Sequence, residues 1–99
     1  MRKGTTPTHI FEVPFNTDMI AEAEIVYAQF GEIVLEKYTD DCEMSGNEIT
    51  VTLTQEETFL FDDSAGVEVQ LRILTQGDDA LASDIIHVSC EKCLSDEVL

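Results

Sequence analysis

Two short runs of strict alternation constrain this chain more than any other feature in it. In Glu48-Ile49-Thr50-Val51-Thr52-Leu53-Thr54 every second residue is apolar, and Val67-Glu68-Val69-Gln70-Leu71-Arg72-Ile73 repeats the pattern. A period of two belongs to a strand with one face on a core and the other in water. Between the runs the period changes. Thr54-Gln55-Glu56-Glu57 matches a capping box, in which the Thr hydroxyl accepts from the amide three residues on and the Glu side chain reaches back. The spacing predicts one short helical turn near Thr54–Phe61 that carries Phe59, Leu60 or Phe61 inward and links strands on opposite sheets.

The rest of the chain follows the same grammar. Phe11, Val13 and Phe15 alternate with Ile10, Glu12 and Pro14, and Pro14 lacks the amide a central strand donates, which marks an edge or a strand end. Between Met19 and Phe30, Ala21, Ala23, Ile25 and Tyr27 alternate with Glu22, Glu24, Val26 and Ala28, so the segment reads as a strand in spite of its helix formers. Phe30-Gly31 is expected as the tight turn into a strand from Ile33 to Tyr38, with Ile33 and Leu35 facing the core and Val34 and Glu36 facing outward. Thr39 to Asn47 reads as the longest polar connection, its Gly46-Asn47 pair signalling a turn because both residues adopt positive φ readily. Further turns fall at Asp62 to Gly66 and Gln76 to Asp79. The last strand runs from about Leu81 to Cys90, and the adjacent Ile85 and Ile86 break its alternation through either a bulge near Asp84 or burial on both faces.

About seven short strands separated by frequent turn signals argue for an all-β fold, a two-layer antiparallel β-sandwich. A chain of 99 residues suits one domain. The predicted organisation is a flexible N-terminal arm over residues 1–7, a sandwich over 8–90 and an acidic C-terminal tail over 91–99. The expected core comprises Phe11, Val13, Ile25, Tyr27, Ile33, Leu35, Ile49, Val51, Leu53, Phe59, Val67, Val69, Leu71, Ile73, Ile86 and Val88.

Charge bounds the function. With 21 acids against 5 bases the net charge is -16, and five scattered bases cannot replace the counterions of a nucleic-acid backbone. Anionic membrane surfaces are disfavoured for the same reason, while basic partners and cations are favoured. No apolar run approaches the roughly 18 residues of a membrane span. Polar Thr5, Thr6, Thr8 and His9 stand where a signal peptide needs an apolar core, so the expected location is the cytoplasm. Three cysteines, Cys42, Cys90 and Cys93, read there as reduced thiols.

Candidate chemistry is sparse. Cys90-Glu91-Lys92-Cys93 with His87 three residues earlier has a zinc-chelating spacing, with Cys42 or His9 available as a further ligand. A structural zinc site has two paired ligand clusters and a redox C-x-x-C opens a helix after a strand, so the reading is inert thiols, with His87, Cys90 and Cys93 as the metal candidates. Asp40-Asp41, Asp62-Asp63 and Asp78-Asp79 sit on predicted loops without EF-hand spacing and read as solvated turn residues rather than calcium ligands. No nucleophile elbow or phosphate loop is present, which predicts no catalytic residue, no cofactor and no enzymatic activity.

A family resemblance adds context. Arg2-Lys3-Gly4-Thr5-Thr6-Pro7-Thr8-His9 leading into Phe11-Glu12-Val13-Pro14-Phe15, then Ile25-Val26-Tyr27-Ala28-Gln29, Leu53 to Thr58, Ala80 to Ile86 and Asp96-Glu97-Val98-Leu99 together resemble small uncharacterised phage and prophage proteins of gut Firmicutes. The chain is also similar, more faintly, to the N-terminal immunoglobulin-like domain of phage baseplate upper proteins. The resemblance implies an immunoglobulin-like sandwich and a non-enzymatic tail- or baseplate-associated protein-interaction module. Such a module contacts other phage structural proteins, or itself, through an edge strand or its arms. It would lie in the cytoplasm of the bacterial host or be assembled into a virion. The alternative is a small acidic cytoplasmic regulator or decoy that binds a basic protein.

Overall fold

A computed structural model describes residues 1–99. Eight strands form: β1 (Thr8–Glu12), β2 (Ile20–Gln29), β3 (Glu32–Tyr38), β4 (Cys42–Ser45), β5 (Glu48–Thr52), β6 (Val67–Thr75), β7 (Ala80–Ala82) and β8 (Ile86–Val88). One sheet has the order β1-β5-β4, and the other has β3-β2-β6 with both β7 and β8 on the free side of β6; every pairing between strands is antiparallel. The chain crosses between the sheets after β1, after β3 and after β5. This connectivity reproduces the immunoglobulin arrangement, with β1, β5 and β4 in the places of strands B, E and D and β3, β2, β6 and β7/β8 in those of C′, C, F and G.

The alternating runs pack as their period requires. Ile49, Val51 and Leu53 close on Ile25, Tyr27, Val67, Val69, Leu71 and Ile73 from the opposite sheet, and all of them are buried. The connection between these sheets is helix α1 (Gln55–Thr58), closed by the expected capping box: Thr54 Oγ1 accepts from Glu57 N at 3.1 Å and Glu57 Oε1 accepts from Thr54 N at 2.8 Å. Phe61 is the residue this turn drives to the centre, at 1% exposure, while Leu60 points to solvent and Phe59 is half-buried. Phe59 is covered by Gly4, where a Cβ would lie 2.6 Å from the ring, so only glycine fits this crossing.

Several expectations need correction. Ile33 faces solvent at 59% exposure, because Val34 is an extra residue: Tyr27 stands opposite Leu35 while Ala28 stands opposite Ile33. The bulge turns Ile33 outward and lets Val34 pack against the core beside Leu35. Ile86 is 42% exposed although its partner Val69 is buried, because a three-stranded sheet cannot cover the far edge of a wider one. The single last strand is two strands, interrupted where Ser83 Oγ accepts the Leu71 amide at 3.0 Å and Ser83 N donates to Leu71 O at 2.8 Å. That favours the bulge-like reading over burial on both faces. The connection from Thr39 to Asn47 contains β4, whose alternation of Cys42 and Met44 inward with Glu43 and Ser45 outward is too short to stand out in a sequence. Residues 1–7, expected as a loose arm, lie against the domain: Arg2 bridges Glu91 in parallel, Gly4 N donates to the buried Thr58 Oγ1 at 2.9 Å, and Pro7 O accepts from Leu53 N at 3.0 Å. In the tail, Leu99 N donates to Gln55 Oε1 at 2.8 Å.

Leu71→Ala is expected to cost about 2 to 5 kcal/mol, as it removes an isopropyl group from a buried site. Glu68→Ala, on the outer face of the same strand, should stay within about 0.5 kcal/mol. Urea melts of the two variants compare them directly, and equal losses would mean the faces are assigned wrongly.

Candidate interaction surface

The metal and thiol candidates are dispersed. His87 is exposed on β8 opposite Glu68, Cys90 is buried just beyond that strand, and Cys93 is half-buried in the tail. Cys42 and His9 lie on the opposite sheet, on either side of Val51. No three His, Cys, Asp or Glu side chains converge on a point where a metal could sit. All three cysteines are free thiols, and burial pushes those of Cys42 and Cys90 above their ordinary value, away from the reactive thiolate. Two of the acidic pairs serve their own turns: Asp41 Oδ2 accepts from Tyr38 N and Asp62 Oδ1 from Ser64 N.

What alternation could not reveal is a polar cluster between the sheets. Lys37, on the inner face of edge strand β3, reaches Glu57 at 2.6 Å, and both side chains are largely buried. Burial pushes the Glu57 carboxyl up, but hydrogen bonds from Lys37 and Thr54 more than reverse this and leave it below its ordinary 4.5. Beside them Tyr27, with 0% exposure, is hydrogen-bonded through its hydroxyl to His9 Nδ1 at 2.7 Å. Burial, then the neighbouring Cys42 and Glu57, push the Tyr27 hydroxyl up, while burial and then the positive chain terminus hold His9 below its ordinary 6.5. Every buried side-chain polar atom has a partner, so the cluster is a satisfied network joining the sheets.

The sheet edges are guarded. β3 carries the bulge at Val34 and an inward lysine, β1 is flanked by Pro7 and Pro14, β4 has four residues, and the β7/β8 edge is broken at Ser83 to Ile85. Each of these features obstructs addition of another strand. The two outer faces differ from each other. That of the three-stranded sheet presents Thr8, Ile10, Glu12, Glu43, Ser45, Glu48, Thr50 and Thr52, mostly hydroxyl and carboxylate. That of the five-stranded sheet presents Val26, Ala28, Ile33, Tyr38, Leu74, Ala80 and Ala82 among Glu22, Glu24, Glu36 and Glu68. Its upper half is an open concavity of about 880 Å³, floored by the ion pair of Arg72 with Glu24 at 3.2 Å. Apolar residues bordered by charge are the usual composition of a protein-docking face.

No protein-family model and no curated protein matches the chain. Among solved structures it is similar to the extracellular domain of mouse leukocyte-associated immunoglobulin-like receptor 1, crystallised as a strand-swapped dimer. The TM-score is 0.53 at 13% identity, over 93% of this chain and 85% of that one. At this identity the likeness is one of fold, and it agrees with the strand order: the chain is a β-sandwich of the immunoglobulin-like class. No helix is long and apolar enough to cross a membrane.

Lys37→Met should cost about 1 to 3 kcal/mol at pH 7, since Glu57 is left unpaired at a site that solvent only partly reaches. Lys37→Met with Glu57→Gln should recover most of that loss in urea melts; no recovery would show that the pair matters only through packing. The His9 shift has a definite sign. Its folded value lies below 6.5, so its contribution is complete above pH 6.5 and declines as pH falls through that value, where the unfolded chain takes up the proton first. The stability of His9→Gln should therefore fall less between pH 7 and 5 than that of the wild type. The difference is well under about 1 kcal/mol because solvent screens a half-exposed ring.

Proposed function

We propose that this chain is a non-enzymatic protein-interaction module, associated with the tail or baseplate of a phage or prophage particle, that docks through the outer face of its five-stranded sheet. The observation that carries the docking mode is the contrast between guarded edges and one outer face on which Val26, Ile33, Tyr38 and Leu74 stand among carboxylates. The dispersal of His87, Cys90 and Cys93 favours a binding role over chemistry. The phage setting rests on the resemblance of the chain's ends and middle to phage proteins. Cytoplasmic synthesis followed by assembly with other structural proteins fits that setting.

A second reading is favoured by one specific observation. Of the five bases, Lys37 and Arg72 are already bonded to Glu57 and Glu24, so the surface charge is even more one-sided than the composition. Such a surface suits an acidic regulator that binds a basic protein. Mass spectrometry of purified particles distinguishes the two: the module should be present at a fixed copy number. Finding it only in infected cytoplasm, with partner binding that collapses as salt rises above physiological strength, would replace the module by the regulator.

A further inference from the structure

We propose that the tip of the β2–β3 hairpin, Phe30 with Ile33 beside it, is a docking anchor that seats in an apolar pocket rimmed by lysine and arginine on a partner protein. The proposal rests on the reading of the chain as an interaction module and names the contact that module makes. Two independent irregularities of the backbone turn large apolar side chains into water within four residues. At the tip Phe30 has φ 54° and Gly31 φ 75°, the pair of positive values that a two-residue turn of this hand requires. Glycine meets that demand freely, whereas a phenylalanine adopts the left-handed region only against steric resistance. Phe30 gains no burial in exchange, since it is 71% exposed. The bulge at Val34 then rotates Ile33 out to 59% exposure. The bulge serves the domain by admitting Val34 to the core, but the conformation of Phe30 brings its own side chain no burial, and strain held at an exposed aromatic points to a use outside the domain.

The tip is built on a rigid base. The buried Gln29 side chain donates from Nε2 to Asp62 O at 2.7 Å and to Ala65 O at 3.1 Å, and its Oε1 accepts from Asp62 N at 2.8 Å. The residue next to Phe30 is thereby locked to the neighbouring loop, which lowers the ordering cost of docking. Charge selects the partner. Glu32 adjoins the turn, Glu68 stands opposite Ala28 in the same row as Ile33, Glu36 follows along β3, and Asp62 and Asp63 lie in the loop that Gln29 holds. Lys37 of the same strand is turned inward onto Glu57, while Lys3, near Asp62, stands with Arg2, Lys92 and the amino group that Glu91 holds on the far side of that loop, toward β8. An apolar anchor flanked by the carboxylates of its own hairpin, of Glu68 and of the Asp62–Asp63 loop, in a chain of net charge -16, repels a second copy of this chain and an anionic lipid surface alike, and complements a basic rim.

Photo-crosslinking tests this directly, with p-benzoylphenylalanine placed at position 30 of the full chain in the cells that produce it. The expected result is one discrete adduct to a different protein, whose cross-linked peptide combines apolar residues with flanking lysine or arginine. Its yield should fall several-fold at about 0.5 M salt, and the same probe at Ile10, on the opposite outer face, should not form it. Phe30→Asn serves as the folded control, because asparagine tolerates the positive φ. It should melt no lower than wild type yet bind the identified partner at least about tenfold more weakly. No discrete adduct from position 30, an adduct to the chain itself, a peptide without basic residues, or equal yield from position 10 would each overturn the anchor. A protein found in particles that cross-links through Tyr38 but not through position 30 would sink the anchor and leave the module standing. Absence from particles with no adduct from any of the three positions would remove both.

Discussion

Strand pairing alone would make two separate sheets, and the packing around Tyr27 is what makes them one domain. Its ring, on β2, stands edge-on to Phe61 at 6.0 Å, the residue that arrives with the crossing from β5, and its hydroxyl reaches His9 on β1. Three pieces of chain that share no ladder with one another therefore meet on one fully buried side chain. Antibody domains place an inter-sheet disulfide and a tryptophan at this level of the fold, on strands B, F and C. Here β1 and β6 carry no cysteine, and the corresponding strand C supplies a tyrosine. The aromatic pair and its hydrogen bond do by packing what a covalent cross-link does elsewhere. This arrangement does not depend on an oxidising compartment.

The same need to join sheets accounts for the inward lysine. On β3, Lys37 occupies a position that alternation assigns to the core, and it is tolerated because the capping residue of α1 supplies the counter-charge. Glu57 thus closes the helical turn and neutralises the edge strand at once. The result is an edge that does not readily accept a further strand.

Much of this was legible in one dimension. The strands around Ile25, Val51 and Leu71, the turns at Phe30-Gly31 and Gly46-Asn47 and the capped turn at Thr54 all follow from local patterns, because periodicity and capping chemistry act over a few residues. The surface emerged less clearly. Ile33 reads as core in any alternating template, and only pairing with β2 reveals that Val34 is an extra residue and that the face inverts. Ile86 likewise has the right register and the wrong location, since exposure there depends on how many strands lie across from it. Lys37, His9 and Gln29 gave no signal as partners of Glu57, Tyr27 and Asp62, because the residues of each pair are 18 or more positions apart.

The sequence by itself determined that this protein is an acidic antiparallel sandwich, since apolar residues at a period of two can bury one face only by stacking sheets, and carboxylates then have only the outside to occupy. The tertiary structure decided which edges are closed, which outer face keeps apolar residues, and that the N-terminal segment is docked rather than loose. Those properties arise from register, from the unequal widths of the two sheets and from contacts between distant segments. They are set by the way strands meet, which no local pattern of residues encodes.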